Sequence, residues 1–310
     1  MSILQEVNYH EVATLRILLS GATGMLGSQT KAQLKKSFPQ AELYLFARSH
    51  NFTQEDDQNW VELEDLVDNQ FNLIVHAGSP ASPLNHTSAS NVFKANVELT
   101  ESLVSSVLPG GCFIFFSTGE IYGQTSSEAI GEDFQPAPIL FEPRSYYPLS
   151  KLAGESIALA RADIRSVVLR IFHTFGPGVR EGDGRSFADF LWGAYRNREL
   201  KLFSSGSQVR TFLDSRDLAS AVVTVAKDSN ASGIYNAGSE VAVTVLEFAE
   251  LVAELSGSEI TFEDKSNFQS ELSDLERLVP CVKRLRSLGW SPSLPLEKTI
   301  LDTLASFSDC

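Results

Sequence analysis

The stretch Ser20-Gly21-Ala22-Thr23-Gly24-Met25-Leu26-Gly27-Ser28 follows a β-prone run, Leu15–Ser20 (LRILLS), and opens a helical pattern, Gly24–Ser37. Each of its three glycines answers a separate physical need at such a junction. Gly21 permits the tight turn, Gly24 lets the backbone approach a pyrophosphate, and Gly27 lets helix pack on strand. The helix start, with Met25 and Leu26 in its first turn, then presents free N–H groups and a positive dipole end to phosphate. Strand, glycine turn and helix in this order predict a dinucleotide-binding turn.

Beyond that turn, short apolar runs alternate with helical patterns. Glu42–Ala47 (ELYLFA), Phe71–His76 (FNLIVH), Cys112–Ser117 (CFIFFS) and Ser166–Phe172 (SVVLRIF) read as strands, and Asn91–Val107 and Tyr147–Ala162 as helices. Near-continuous apolar strands between helices predict an α/β fold, a Rossmann-type doubly wound parallel sheet covered on both faces. After Gly176-Pro177-Gly178 the rhythm changes, with helices expected at Phe187–Arg196 and Val245–Leu255. Residues 1–175 are therefore expected to form the nucleotide-binding domain and 176–310 mainly a smaller substrate-binding region. Two segments near 211–240, Thr211–Ala226 and Gly233–Gly238, are expected to return to the first domain.

Composition narrows the function. The 310 residues carry a net charge of −14, from 25 basic and 39 acidic side chains, with no dense Lys/Arg cluster. Nucleic acid and anionic membrane surfaces are thereby excluded as expected partners. No run approaches the ~18 apolar residues of a membrane-spanning helix. The first residues, MSILQEVNYHEVATLR, lack an apolar block, so no secretory leader is expected and a cytoplasmic location is. Cys112, Cys281 and Cys310 are few, odd in number and far apart, which predicts neither a disulfide framework nor a metal centre.

The second predicted strand ends Phe46-Ala47-Arg48-Ser49, where an acidic residue would bond the ribose 2′-hydroxyl of NAD. A guanidinium stands beside the missing acid, and Arg48 with Ser49 suits a 2′-phosphate, which favours NADP slightly over NAD. The alternative is an Arg48 that stacks on adenine or lies in solvent.

Tyr147 and Lys151 are four apart on a predicted helix and so share one face. A neighbouring ammonium favours phenolate, which predicts a lowered Tyr147 pKa and a usable base. Thr118 and Glu120 leave the carboxyl end of a predicted strand, the side of a parallel sheet that faces ligand.

In chain order, SGATGMLG, VHAGSPASP, Asn96 in FKANVELT, FFSTGEIYG, YPLSK, RIFHTFGPG, GDGR, SGSQVRTFLDSRD, YNAGS and LGWSPSLPLEK carry a resemblance. The chain resembles the extended short-chain dehydrogenase/reductases of the NAD(P)-dependent nucleotide-sugar epimerase/dehydratase family. Its motifs look most like those of the UDP-glucuronate decarboxylases. The resemblance implies hydride transfer at C4 of a nucleotide-diphosphate sugar. Tyr147 would exchange the proton of the C4 oxygen, Lys151 hold the nicotinamide ribose, Thr118 orient the sugar oxygen and Glu120 serve as acid/base of a second step. It further implies cofactor contacts at Ala77 and Asn96, a diphosphate contact at Arg210, and substrate contacts at Ser79, His173 and Arg185, although His173 equally suits a satisfied core position. A homodimer through the two helices at Asn91–Val107 and Tyr147–Ala162 is implied as well.

The chain departs from the family pattern at several positions. Gly119 stands where dehydratases have aspartate, YPLSK where decarboxylases read Tyr-Asp-Glu-Gly-Lys, and Leu278 where decarboxylases carry an arginine, with Arg277 one position off. Two reactions therefore remain: a transient 4-ketone followed by decarboxylation or epimerisation, and an NADPH-dependent reduction of a 4-keto-sugar nucleotide. A non-catalytic NADP-binding protein is a third reading, disfavoured because Tyr147 and Lys151 are both kept.

Overall fold

Residues 17–19, 74–75 and 113–116 are buried on both sides of their strands, and segments of that kind belong in the middle of a sheet with helices on each face. The computed structural model describes residues 14–46, 59–66, 70–80, 88–125, 127–142, 144–196, 198–263 and 275–309. Its first six strands are β1 (Arg16–Ser20), β2 (Glu42–Phe46), β3 (Asn59–Trp60), β4 (Phe71–His76), β5 (Val107–Thr118) and β6 (Arg165–Ile171). Four short strands follow: β7 (Thr174–Phe175), β8 (Leu200–Leu202), β9 (Val209–Thr211) and β10 (Leu213–Asp214). The last three are β11 (Gly233–Ala237), β12 (Ala242–Thr244) and β13 (Ile260–Phe262).

Seven strands form one sheet in the order β11-β6-β5-β4-β1-β2-β3, with every pairing parallel. The chain runs outward from β1 through β2 to β3, then returns to the other side of β1 with β4. This reversal makes the β1/β4 junction the point where a crevice opens at the carboxyl ends of the strands. The fold is the Rossmann-type doubly wound α/β sheet expected from the sequence. Beside β6, β11 adds a strand from the C-terminal half, in register from Gly233 opposite Val167 to Ala237 opposite Ile171.

Helix α1 (Met25–Ser37) packs on one face, where Leu34 meets Ile17, Leu19 and Ile114 in a shared core. On the other face lie α2 (Ala89–Phe93), α3 (Leu99–Ser105) and α4 (Tyr146–Ala160), with Leu103 and Ala158 against Leu18, Phe71, Phe113 and Phe115. The helix expected over Asn91–Val107 is broken: one π turn, Lys94–Glu98, separates α2 from α3, and the helix stops at Ser105. Strand β5 begins at Val107 rather than at Cys112. Val107 pairs with Phe71 and Cys112 with Leu73, so the extra residues, Gly110 (φ 77) among them, loop out as a bulge that local apolarity does not reveal.

A third core lies beyond the carboxyl edge of the sheet. It joins α5 (Ser186–Tyr195) to α7 (Val245–Ser256) and α9 (Leu296–Ser306), with α6 (Ser215–Lys227) leading back under the sheet and α8 (Lys283–Ser287) beside β11. Phe175, Phe187, Phe190, Phe212 and Phe248 make up its centre, with Phe212 and Phe248 ring centroids 4.2 Å apart. Between this aromatic block and the sheet edge lies a cleft of about 750 Å³. Among the described residues no helix is long and apolar enough to cross a membrane.

Candidate active site

The glycine turn forms one wall of the cleft. Gly21 has φ 76, and a Cβ on it would sit 2.6 Å from the backbone of Gly78. A Cβ on Gly27 would lie 1.9 Å from the Gly21 carbonyl oxygen, so the strand and α1 touch there through backbone alone. At Gly24, the N-cap of α1, a Cβ would meet only the Gly21 oxygen at 3.4 Å. That opening, a helix N-terminus with no acidic residue in its first turn, fits the pyrophosphate of a dinucleotide in space and in charge. Met25, Leu26 and Ala77 line the same cleft. Arg48 and Ser49, on which the NADP expectation rests, lie outside the described residues. Asn96 departs from expectation: it is fully buried, donates from Nδ2 to Ser150 Oγ at 3.0 Å, and does not line the cleft. Packing of α4 explains this, because Gly154 brings that helix against the Asn96 carbonyl.

Strand β5 delivers the reacting end. Its last residue, Thr118, accepts a hydrogen bond from the Glu120 N–H at 3.2 Å, which turns the chain so that both side chains face the cleft. A Cβ on Gly119 would come within 3.0 Å of the Phe172 ring, so a larger residue there would press on that ring. From α4, Tyr147 and Lys151 reach the same space. The Thr118 hydroxyl faces the Tyr147 phenol and acts to lower its pKa. Lys151 donates to the Phe116 carbonyl oxygen at 2.6 Å and lies 4.8 Å from the centre of the Phe115 ring.

The expected lowering of the Tyr147 pKa is not found. Burial, with the Glu120 carboxylate adding to it, pushes the phenol up to about 12. The cations that act against this are Arg144 and Arg185, not Lys151. Lys151 is itself pushed down to about 7 by burial, opposed by Glu155 one turn further along α4. The i,i+4 spacing gives a shared face but not the direction of the ammonium, and one donor of this one goes to the Phe116 carbonyl.

Three arginines surround the reacting end. Arg210, 7% exposed on β9, hydrogen-bonds among the described residues only the Val209 carbonyl oxygen (2.9 Å), and burial pushes its pKa down to about 10. Arg185, the N-cap of α5, is held by Asp183 through bonds of 2.5 and 2.8 Å. Arg144, which the sequence reading missed, lies 3.8 Å from Glu120 and 5.5 Å from the centre of the Tyr147 ring. Its one local signal is its place three residues before Tyr147, where the Tyr147 N–H donates to its carbonyl at 3.0 Å.

His173 lines the cleft with Nδ1 buried and without a partner among the described residues, and so is not a satisfied core histidine. Burial, then Arg210, Arg185 and Arg144, push its pKa down to about 3. The Ser79 hydroxyl is likewise buried in the cleft wall without a partner among the described residues. Leu275 and Leu278 complete that wall, whereas Arg277 turns away to donate to the Glu128 carbonyl oxygen at 3.0 Å. Among the described residues no group of three or more His, Cys, Asp or Glu side chains is placed to hold a metal ion.

Comparison with known proteins agrees with this geometry. Residues 17–238 match the model of the NAD dependent epimerase/dehydratase family. UDP-glucuronic acid decarboxylase 1 of Danio rerio is 29% identical over 94% of this chain and 72% of its own length. GDP-6-deoxy-D-mannose reductase of Pseudomonas aeruginosa is 25% identical over 95% of this chain and 97% of its own. Among solved structures, UDP-glucuronic acid 4-epimerase of Bacillus cereus, in complex with UDP-glucuronic acid and NAD, superposes with a TM-score of 0.78. It is 20% identical, over 95% of this chain and 99% of that one. The chain belongs to the NAD-dependent epimerase/dehydratase family and is an enzyme of that family.

Proposed function

We propose that this enzyme oxidises C4 of a nucleotide-diphosphate sugar to a transient ketone, completes a second step there, and restores C4. The observation that carries the reading is the convergence of Thr118, Tyr147 and Glu120 with the guanidinium of Arg210, which pairs with no carboxylate among the described residues, in one cleft beside the glycine cradle. The cradle at Gly21, Gly24 and Gly27, with Met25, Leu26, Ala77 and Lys151, would hold NAD, which supplies the hydride acceptor and gives the hydride back.

Tyr147 carries the proton traffic at the C4 oxygen. Its raised pKa makes it a proton donor at neutral pH, ready to reprotonate that oxygen. When it takes the proton instead, the Thr118 hydroxyl and the charges of Arg144 and Arg185 stabilise the phenolate. Lys151 binds the nicotinamide ribose, Arg210 the diphosphate, and Ser79, His173 and Arg185 further substrate oxygens. Glu120 manages the second step. With a carboxylate on C5 the 4-ketone is a β-keto acid: the C5–C6 bond breaks, carbon dioxide leaves, and the electron pair moves through C5 onto the C4 oxygen. C5 then takes a proton. With that bond kept, restoring C4 from its other face gives the epimer.

A sugar nucleotide labelled with deuterium at C4 tests the reading. UDP-glucuronate carrying the label should yield a UDP-pentose or the C4 epimer that keeps its deuterium, without net change in NAD. Leu278, in place of a cation on the cleft wall, favours a second reading, reduction of a 4-keto-sugar nucleotide. Net consumption of NADPH with such a ketone, and no reaction of the labelled uronate, would establish it.

A further inference from the structure

Ser20 and His76 end β1 and β4 directly opposite each other, at the place where the strand order reverses. Two residues earlier the same face carries Leu18 and Ile74, which belong to the core under α3 and α4. Both polar side chains are fully buried at the end of this apolar face. Such burial is costly unless the polar atoms find partners.

The partners are there, and they run in one direction. His76 Nε2 lies 3.3 Å from the Ala95 carbonyl oxygen, which can only accept. In a neutral ring the proton therefore sits on Nε2, and Nδ1 is an acceptor for the Ser20 hydroxyl 2.6 Å away. The Ser20 hydroxyl oxygen in turn receives the Gly78 N–H at 3.4 Å, and the Ser20 carbonyl receives the Ala77 N–H at 3.2 Å. Ser20 thus anchors two successive N–H groups of the segment whose Ala77 and Ser79 line the cleft beside the glycine turn. The fit is close, since a Cβ on Gly21 would sit 2.6 Å from Gly78. At the other end, Ala95 lies in the π turn Lys94–Glu98. The next residue, Asn96, donates to Ser150, which donates to the Tyr147 carbonyl at 2.8 Å. One turn therefore braces both the cleft wall and the helix that carries Tyr147.

Resting on the reading of the glycine cradle as the NAD site, we infer that Ser20 and His76 are positioning residues for the cofactor. The neutral His76 ring, protonated on Nε2, aims the Ser20 hydroxyl, and Ser20 holds the Ala77–Ser79 wall at the spacing the dinucleotide needs. Neither side chain touches the cofactor; both act through the backbone of Ala77 and Gly78.

Two measurements test this. Nitrogen-15 labelling of the five histidines, with His76→Asn to assign the signal, should show His76 with a proton on Nε2 and none on Nδ1. Calorimetric titration with NAD then compares the wild type with Ser20→Ala, His76→Phe and His76→Asn, each checked for folding by thermal melting. Ser20→Ala and His76→Phe should weaken NAD about threefold to tenfold, the scale of one neutral hydrogen bond. His76→Asn keeps an acceptor near the place of Nδ1 and should bind NAD more tightly than His76→Phe. A histidine that only fills space gives the reverse order, because phenylalanine packs better than asparagine beside Phe115, whose ring centre is 5.6 Å from that of His76. That reverse order, unchanged affinity in Ser20→Ala, or a proton found on Nδ1 overturns the inference while NAD binding by the wild type still supports the cradle. A folded wild type that binds no dinucleotide contradicts the reading of the cradle, and the inference falls with it.

Discussion

Arg170 and Glu155 form a fully enclosed ion pair one turn below Lys151, with Arg170 donating to the two carboxylate oxygens at 3.0 and 2.7 Å. Both side chains are 3% exposed. Ser117 adds a third donor to Glu155, and Arg170 also reaches the Tyr122 hydroxyl at 2.9 Å, which in turn donates to Asn236 on β11. The pair therefore ties the helix carrying Tyr147 and Lys151 to β5, β6 and β11, and it sets the charge that Lys151 feels.

Glu155→Gln should cost stability, because it leaves the Arg170 charge buried and unpaired. A loss of roughly 3–5 kcal/mol is the usual scale for breaking such a pair. Urea unfolding checks this. In the variant that folds, Lys151 also loses the negative charge that opposes its burial. The limb of the kcat/KM profile that depends on protonated Lys151, near its value of about 7, should move to lower pH. An unmoved limb would separate Glu155 from Lys151.

Tyr147→Phe should lower turnover by roughly 10²–10⁴, the range for a lost general acid–base, while NAD affinity stays within about threefold. Steady-state kinetics with a cofactor titration measures both. Undiminished turnover would remove the phenol from the proton path.

His173 makes stability fall in acid. Its pKa drops from about 6.5 in the unfolded chain to about 3 in the folded one, so between these values only the unfolded chain takes the proton. Stability is thus complete above about pH 6.5 and declines as the pH falls toward 3. His173→Asn should flatten that part of the curve relative to the wild type, as read from urea midpoints at about pH 7 and pH 4. Parallel curves would contradict the assignment.

Gly119→Asp, the change toward a dehydratase-like pair beside Glu120, should not create a dehydratase. The new Cβ would meet the Phe172 ring at 3.0 Å, and Phe172 is itself buried. An overpacking cost of about 1–3 kcal/mol is expected, read as a lowered melting temperature.

Much of this arrangement was legible in the sequence because it follows from backbone rules. Glycine spacing at 21, 24 and 27 identified the cradle, and uninterrupted apolar runs identified the central strands. The Tyr147–Lys151 spacing placed both side chains on one face. What stayed hidden depends on tertiary direction. Nothing local reveals that Lys151 points at the Phe116 carbonyl, so the sign of the Tyr147 shift came out reversed. Arg144 sits in a loop with no periodicity to single it out, and its proximity to Glu120 joins segments far apart in the chain. The burial of Asn96 follows from the close approach of α4 at Gly154, and the early start of β5 from its bulge against β4, neither of which is local.

The most direct test of a hydride that is lent and returned is to denature the purified enzyme and identify the released nucleotide by mass. One equivalent of NAD per chain, retained through purification, is the result this account predicts. A protein that releases none, and that then binds NADPH far more tightly than NADH, would contradict it and make the enzyme a reductase of 4-keto-sugar nucleotides.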